Sequence, residues 1–566
     1  MNVLDYVVLL GTILGIALYG MWRTRGRHNL ASYLKGSGDA PWLVVGLSVM
    51  ATQASAVTFL STPGQGFASG LGFIQIYFGI PIALVIIAAV FLPIYRRLNV
   101  ITAYEYLGQR FDAKTRLLGA AVFLLQRGLG AGITIYAPAI VLSTVFGWSL
   151  DATIICSGLV VIAYTVSGGS DAVNVTQNYQ IAVIFAGMVA AGVVLLHKLP
   201  AGLGLHDALT LAGGMHKLQA VNFSADPRER YTLWSGVLGA TFLMLAYFGT
   251  DQSQVQRYLT GASLRESRLG LMFNAIFKIP MQFFILSLGV LLFVFYQFEQ
   301  PPVYFNQVEW RHQAERGNAD RAHAIEMDFA VAHARERKQL DAWLNARGAG
   351  DTVAAAAARA AVSAAHDQVE TVRARAEMAV DPTGKTKDTD YVFITFILDY
   401  LPHGVIGLLV ATFFAAALSA KAAELNALGS ATTVDFYRHV VKPRASDAHY
   451  LAASKWFTVF WGLVSITFAV SATLAENLIQ AVNIVGSIFY PVMLGLFVVG
   501  FFLRWIGGTA VFWGALAAQA LVVVLFLCFR HDLSYLWYNP IGCAACVLFS
   551  AVLQPVLGGQ AKSVTA

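Results

Sequence analysis

The sequence predicts an all-α integral membrane protein with about 13 transmembrane helices, two of them interrupted, and three observations carry that expectation. Of 566 residues, 57% are hydrophobic and only 12% charged, about half the charged share of a soluble chain. The charges are unevenly spread: residues 299–390 hold 27 of the 70 Asp, Glu, Lys and Arg, leaving 43 for the other 474 positions. Those positions fall into apolar runs of about 20 residues, the length that crosses a hydrocarbon core.

In chain order the expected spans are 3–22, 42–61, 70–95, 117–146, 152–168, 178–197, 233–252, 269–297, 391–420, 456–474, 477–503, 508–529 and 537–556. The first run has no basic residue before it and Arg23, Arg25 and Arg27 directly after it, which reads as a span rather than a cleaved leader. The second, 42–61, is interrupted by Thr52, Gln53, Ser55 and Thr58, then meets Ser61, Thr62, Pro63 and Gly64. The seventh, 233–252, ends in the similarly polar Gly249-Thr-Asp-Gln-Ser-Gln254. Four cysteines, Cys156, Cys528, Cys543 and Cys546, sit in apolar runs and read neither as a disulfide framework nor as an exposed redox pair, and the Cys543-x-x-Cys546 pair reads as small core residues on one helix face.

The expected organisation is an N-terminal span and loop (1–41), a first five-helix group (42–200), a loop (201–232), two spans (233–298), a charged insertion (299–390), three spans completing a second five-helix group (391–505), and two terminal spans with a tail (506–566). The Ala-rich insertion, broken at Gly348 and Gly350, reads as a solvated helical hairpin. With the N-terminus outside, the inside loops and tail hold 18 Lys and Arg against 5 in the short outside loops. That bias predicts a multi-pass protein of the cell (inner) membrane with a cytoplasmic C-terminus. The net charge of +6 is thus accounted for by topology, and no nucleic-acid partner is expected.

Irregular backbone inside a bilayer survives only where it is buried in protein or lines a watery cavity. The interrupted spans, second and seventh, each lead a group of five, and the two groups cross in opposite senses. Inverted repeats whose leading helices unwind near the midplane, with carbonyls and helix ends facing ion and solute, are how many secondary transporters are built. A membrane enzyme is not expected, because the spans carry no nucleophile–base pair, metal-ligand cluster or phosphate loop. Ionisable residues within or beside spans are functional candidates because their burial is costly: Arg127, Lys278, and, at the end of span 391–420, Lys421 and Glu424.

From about residue 5 to 505 the chain resembles the sodium/solute symporters (sodium/glucose cotransporter-like). The resemblance rests on Gly249-Thr-Asp-Gln-Ser-Gln-Val-Gln-Arg257, Phe277-Lys-Ile-Pro280, Ala415-Ala-Ala-Leu-Ser-Ala-Lys-Ala-Ala-Glu-Leu-Asn426 and Thr432-Thr-Val-Asp-Phe-Tyr437. It implies the inverted five-helix-repeat (LeuT-like) transporter fold and cation-coupled symport, by sodium or proton, of a small organic solute such as a sugar or organic acid through alternating access. An uncoupled facilitator with a degenerate sodium site is the alternative. No cofactor beyond a sodium ion is implied, and the partners are the solute, the coupling cation and the bilayer.

The resemblance further implies a sodium ion between the broken second span and the ninth, at positions matching Ala51, Ala54, Ala416 and Ser419. Family members usually carry Ser or Thr at the position of Ala420 as well. Lys421 stands where a small or hydroxylated residue would be expected, and Gln177 where many relatives have a coupling aspartate, so Lys421 and Gln177 are coupling candidates. Solute contacts are expected from Gln53, Thr58, Tyr77, Tyr247, Lys278 and Asn483, with Tyr247 resembling a gating tyrosine. Two sugar contacts of relatives read Tyr77 and Met244 here, which argues against a galactose-like mode.

Overall fold

Nine helices among the described residues are long and apolar enough to cross a bilayer. Four shorter apolar ones, Val3–Gly15, Trp42–Gln53, Leu150–Val166 and Ser235–Thr250, fall on the remaining expected spans. The structure, a computed structural model, describes residues 1–23, 39–98, 100–200, 203–382, 387–471 and 476–557, without the side chains of 16–23, 167–179 and 316–317. The labelled helices are α1 (Val3–Arg23), α2 (Trp42–Gln53), α3 (Ala56–Ser69), α4 (Ala113–Thr134), α5 (Leu150–Lys198), α6 (Ala240–Thr250), α7 (Gln252–Tyr258), α8 (Leu264–Phe298), α9 (Ala319–Gly348), α10 (Thr352–Val380), α11 (Val405–Ala431), α12 (Asp447–Ser471), α13 (Leu478–Phe502), α14 (Gly508–Phe529) and α15 (Tyr538–Leu557).

Two expected boundaries are corrected. Span 391–420 is two helices: Val392–Tyr400 ends, the chain turns through Leu401–Gly404, and α11 begins at Val405. Pro402 has no amide to extend a helix, and Gly404, at φ 87°, supplies a backbone angle that other residues avoid. Lys421 and Glu424 are therefore well inside α11 rather than at the end of a span. The backbone from Leu150 to Lys198 is also one 49-residue helix, where two spans were expected. No proline interrupts that stretch. At about 1.5 Å per residue it is more than twice the length of one crossing.

The broken pair α2 and α3 packs on α8, with backbone on backbone. A Cβ at Gly66 would overlap the Leu286 carbonyl, and one at Gly289 would overlap the Pro63 carbonyl. Small residues permit such approach between membrane helices. Gly289→Ala is expected to lose about 1–3 kcal/mol by overpacking, read as a lower unfolding temperature of the purified protein in detergent.

Helices α9 and α10 form a hairpin turning at Gly348 and Gly350 (φ 74°). Its own small core includes Ile325, Phe329, Val369 and Val372. It docks on the end of α8, where His333 Nε2 lies 3.0 Å from the Tyr296 carbonyl and Arg337 donates to the Phe298 carbonyl at 2.8 Å.

The hairpin returns to the bundle through the turn Thr389–Tyr391, where Asp390 accepts from the Leu478 amide at 3.1 Å. Burial pushes the Asp390 carboxyl up to about 6. A carboxyl raised in the folded state favours folding while protonated, so its contribution is full below the unfolded value near 4 and lost as pH rises through about 6. Asp390→Asn is therefore expected to stabilise the protein at pH 7.5 by up to about 3 kcal/mol. That gain should shrink as the pH falls to about 4, as thermal unfolding at the two pH values would read.

Candidate functional site

Both interrupted spans are unwound where the polar residues sit. Helix α2 ends at Gln53; Ala54 (φ −85°, ψ 64°) and Ser55 (φ −74°, ψ 176°) are non-helical, and α3 starts at Ala56. Thr58 spans the gap, its amide donating to the Ser55 carbonyl at 2.9 Å and its hydroxyl to the Gln53 carbonyl at 3.3 Å.

In the other broken span α6 ends at Thr250, Asp251 is extended (φ −76°, ψ 119°), and α7 starts at Gln252. Aspartate is a strong helix starter, and Asp251 Oδ1 accepts from the Ser253 amide (2.9 Å) and hydroxyl (2.7 Å). The carbonyls freed at this break are satisfied by protein: Tyr95 donates to Gly249 O (2.7 Å) and Tyr104 to Thr250 O (3.0 Å). This is the condition under which a bilayer tolerates broken helix.

Between the breaks lies a cavity of about 100 Å³ walled by residues of α2, α3, α4, α6, α8, α11 and α13. Gln53, Thr58, Tyr77, Tyr247, Lys278 and Asn483, the six solute candidates, all line it. The Tyr247 hydroxyl accepts from Gln254 Nε2 at 2.6 Å. Asn483 turns its amide back to the Ile479 carbonyl (2.8 Å), whereas Gln53 Oε1 and Lys278 Nζ have no hydrogen-bond partner among the described residues.

One wall is an ionic network. The Arg127 guanidinium donates to Asp251 Oδ2 (2.5 Å), Ser253 Oγ (2.9 Å) and Glu424 Oε1 (3.1 Å), and the Tyr490 hydroxyl donates to Asp251 Oδ2 (2.6 Å). Lys421 Nζ donates to the Ala131 carbonyl, to Thr134 Oγ1 (2.5 Å) and to Glu424 Oε2 (3.3 Å). Arg127, Asp251, Lys421 and Glu424 are all buried, and together they carry no net charge. Among the described residues lining the cavity, Lys278 is the remaining buried cation, 1% exposed, with its ammonium 5.7 Å from the Tyr77 ring centroid.

Asp251 was not among the residues that sequence reasoning singled out, although it is a carboxylate within an expected span. Arg127, one of the buried ionisable candidates, holds the carboxylates of Asp251 and Glu424. The expected sodium positions divide between the end of α2 and the first break, where Ala51 and Ala54 lie, and α11, which holds Ala416 and Ser419. The Ser419 hydroxyl donates to Gln180 Oε1 at 3.0 Å. The side chain of Gln177 lies outside the described residues.

The profile of the sodium:solute symporter family matches residues 33–306 and 373–518, leaving out most of the helical hairpin. The sodium-coupled monocarboxylate transporter 2 of Mus musculus is 26% identical to this chain, over 98% of this chain and 84% of that protein. The sodium-dependent multivitamin transporter of Oryctolagus cuniculus is 28% identical over 88% and 66%. The human sodium/iodide cotransporter is 32% identical over 51% of this chain and 45% of its own length. These relatives are transporters, not enzymes. Among solved structures, a Na+-coupled sialic acid symporter in a substrate-bound outward-open state covers both chains fully, with a TM-score of 0.74 at 22% identity, and shares the fold.

Proposed function

The chain belongs to the sodium:solute symporter family, and from that premise we propose that it carries a small organic anion, a short monocarboxylate by preference, through alternating access at the cavity between its two broken helices. The observation that supports this reading is a charge count. Arg127 and Lys421 are matched by Asp251 and Glu424, and Lys278 is left as a buried cation without a partner among the described residues.

An isolated charge out of water is costly, and a carboxylate entering the cavity offsets that cost with charge-assisted hydrogen bonds. Gln53, Tyr77 and Tyr247 line the cavity and give the polar and aromatic walls that fix orientation. The cavity is too small for a large guest. Its Met244 and Leu243 wall gives a hexose few hydrogen-bonding groups, and a short aliphatic acid an apolar surface.

Membership implies coupling to sodium, and the membrane assigned is the cell membrane with the N-terminus outside. The uncoupled facilitator is kept as a second reading because an ammonium lies beside the first break. Uptake by the reconstituted protein separates the two: accumulation above the external concentration under a cation gradient supports coupling, and arrest at equilibrium supports the facilitator. Thermal shift against a panel of monocarboxylates, hexoses and amino acids tests the solute class, because a ligand of the folded state raises apparent stability.

A further inference from the structure

We infer that Gln254, beyond the second helix break, is a positioning residue that turns the Tyr247 proton into the cavity, where it donates to the carboxylate of the solute. The inference deepens the reading of a monocarboxylate carrier and rests on it. It adds a second donor to the Lys278 ammonium.

Tyr247 lies on α6, three residues before its end, and Gln254 on α7, two residues after its start. Gln254 Nε2 reaches across the break and donates to the Tyr247 hydroxyl at 2.6 Å. Gln254 is fully buried, and its Oε1 has no partner among the described residues. Tyr247, by contrast, is half-buried and lines the cavity together with Lys278.

A phenol has one proton to give and lone pairs with which to accept. The Tyr247 oxygen accepts from Gln254, and no atom of the described residues takes its proton. The Arg127 guanidinium, 5.6 Å from the Tyr247 ring centroid, is a donor too. The two carboxylates of the ionic wall, Asp251 and Glu424, are held by Arg127, Tyr490 and Lys421 and take nothing from Tyr247. What this end of the cavity lacks is an acceptor. An ionised carboxylate only accepts, so it takes the phenol proton along with one from the Lys278 ammonium, and bonds to a charged acceptor are the strong ones. An ammonium entering the same place would bring further donors and leave the phenol proton unmet.

The test is a double-mutant cycle, read by isothermal titration of propionate into purified full-length protein as wild type, Gln254→Met, Tyr247→Phe and the two combined. Tyr247→Phe is expected to weaken binding roughly tenfold, the loss of one hydrogen bond to a charged group. Gln254→Met is expected to weaken it about threefold while the hydroxyl is present, and to change nothing in the Tyr247→Phe background, because its effect passes through that proton. No loss from Gln254→Met, or equal losses in both backgrounds, would mean that Gln254 acts by packing at most and would overturn the inference. Wild-type affinity in Tyr247→Phe would overturn it as well. A gain of affinity in Gln254→Met would show that the amide takes the phenol proton instead of freeing it, which also defeats the inference. If Gln254→Met does not fold, Gln254→Asn, one methylene short of the hydroxyl, replaces it in the cycle. Should neither propionate nor any other monocarboxylate bind the wild type, the solute assignment falls and takes this inference with it; binding with additive losses removes the inference alone.

Discussion

Lys278→Met is expected to weaken monocarboxylate binding by about two orders of magnitude, the loss of roughly 3 kcal/mol, while leaving the protein folded at least as well as wild type. Both halves follow from the same fact. The Lys278 ammonium is 1% exposed and finds no hydrogen-bond partner among the described residues, so in the empty protein only the Tyr77 ring offsets the cost of burying the charge. Methionine keeps the length of the side chain and removes the desolvation cost, and such replacements of buried charge are often neutral or stabilising. The bound anion loses its charged partner, and an uncompensated carboxylate in a buried site typically costs about 2–5 kcal/mol. Isothermal titration gives the affinity and thermal unfolding the stability. A structural anchor would behave in the opposite way, with lower stability and unchanged affinity.

Arg127→Met is expected to be the most damaging single substitution in the bundle, at about 3–5 kcal/mol. It leaves Asp251, fully buried, and Glu424, 8% exposed, without the guanidinium that binds both. Asp251 also starts α7, so a shift of this carboxylate disturbs the break itself. Adding Asp251→Asn to Arg127→Met removes the unpaired charge, leaving Glu424 paired with Lys421, and is expected to recover a substantial part of the loss. Yield and unfolding temperature in detergent check it. Equal instability in the single and double variants would show that Arg127 acts through its shape alone.

Much of this was legible in the sequence because bilayer burial imposes coarse rules. Apolar runs locate spans, and polar residues within Trp42–Thr58 and Ala246–Gln254 locate the breaks, since irregular backbone is confined to protein-lined places. The six solute candidates meet around one cavity because each was chosen beside a break or on a span expected to face it. The division of Val392–Tyr400 from α11 was missed because the residues on either side of Leu401–Gly404 are apolar, and only Pro402 and Gly404 mark the turn. The pairing of Arg127 with Asp251 and Glu424 was not readable, because the residues are 124 and 297 positions apart and no local rule links them. Lys421 and Glu424, three apart on one helix, could be paired from spacing. That the same ammonium also reaches Ala131 and Thr134 required the packing of α11 on α4.

Uptake of a radiolabelled short-chain monocarboxylate by proteoliposomes containing the purified protein tests the central claim most directly. Saturable uptake that exceeds empty liposomes, and that Lys278→Met reduces to background, is the predicted result. Uptake of a neutral hexose that Lys278→Met leaves intact, with no uptake of any monocarboxylate, would contradict the account.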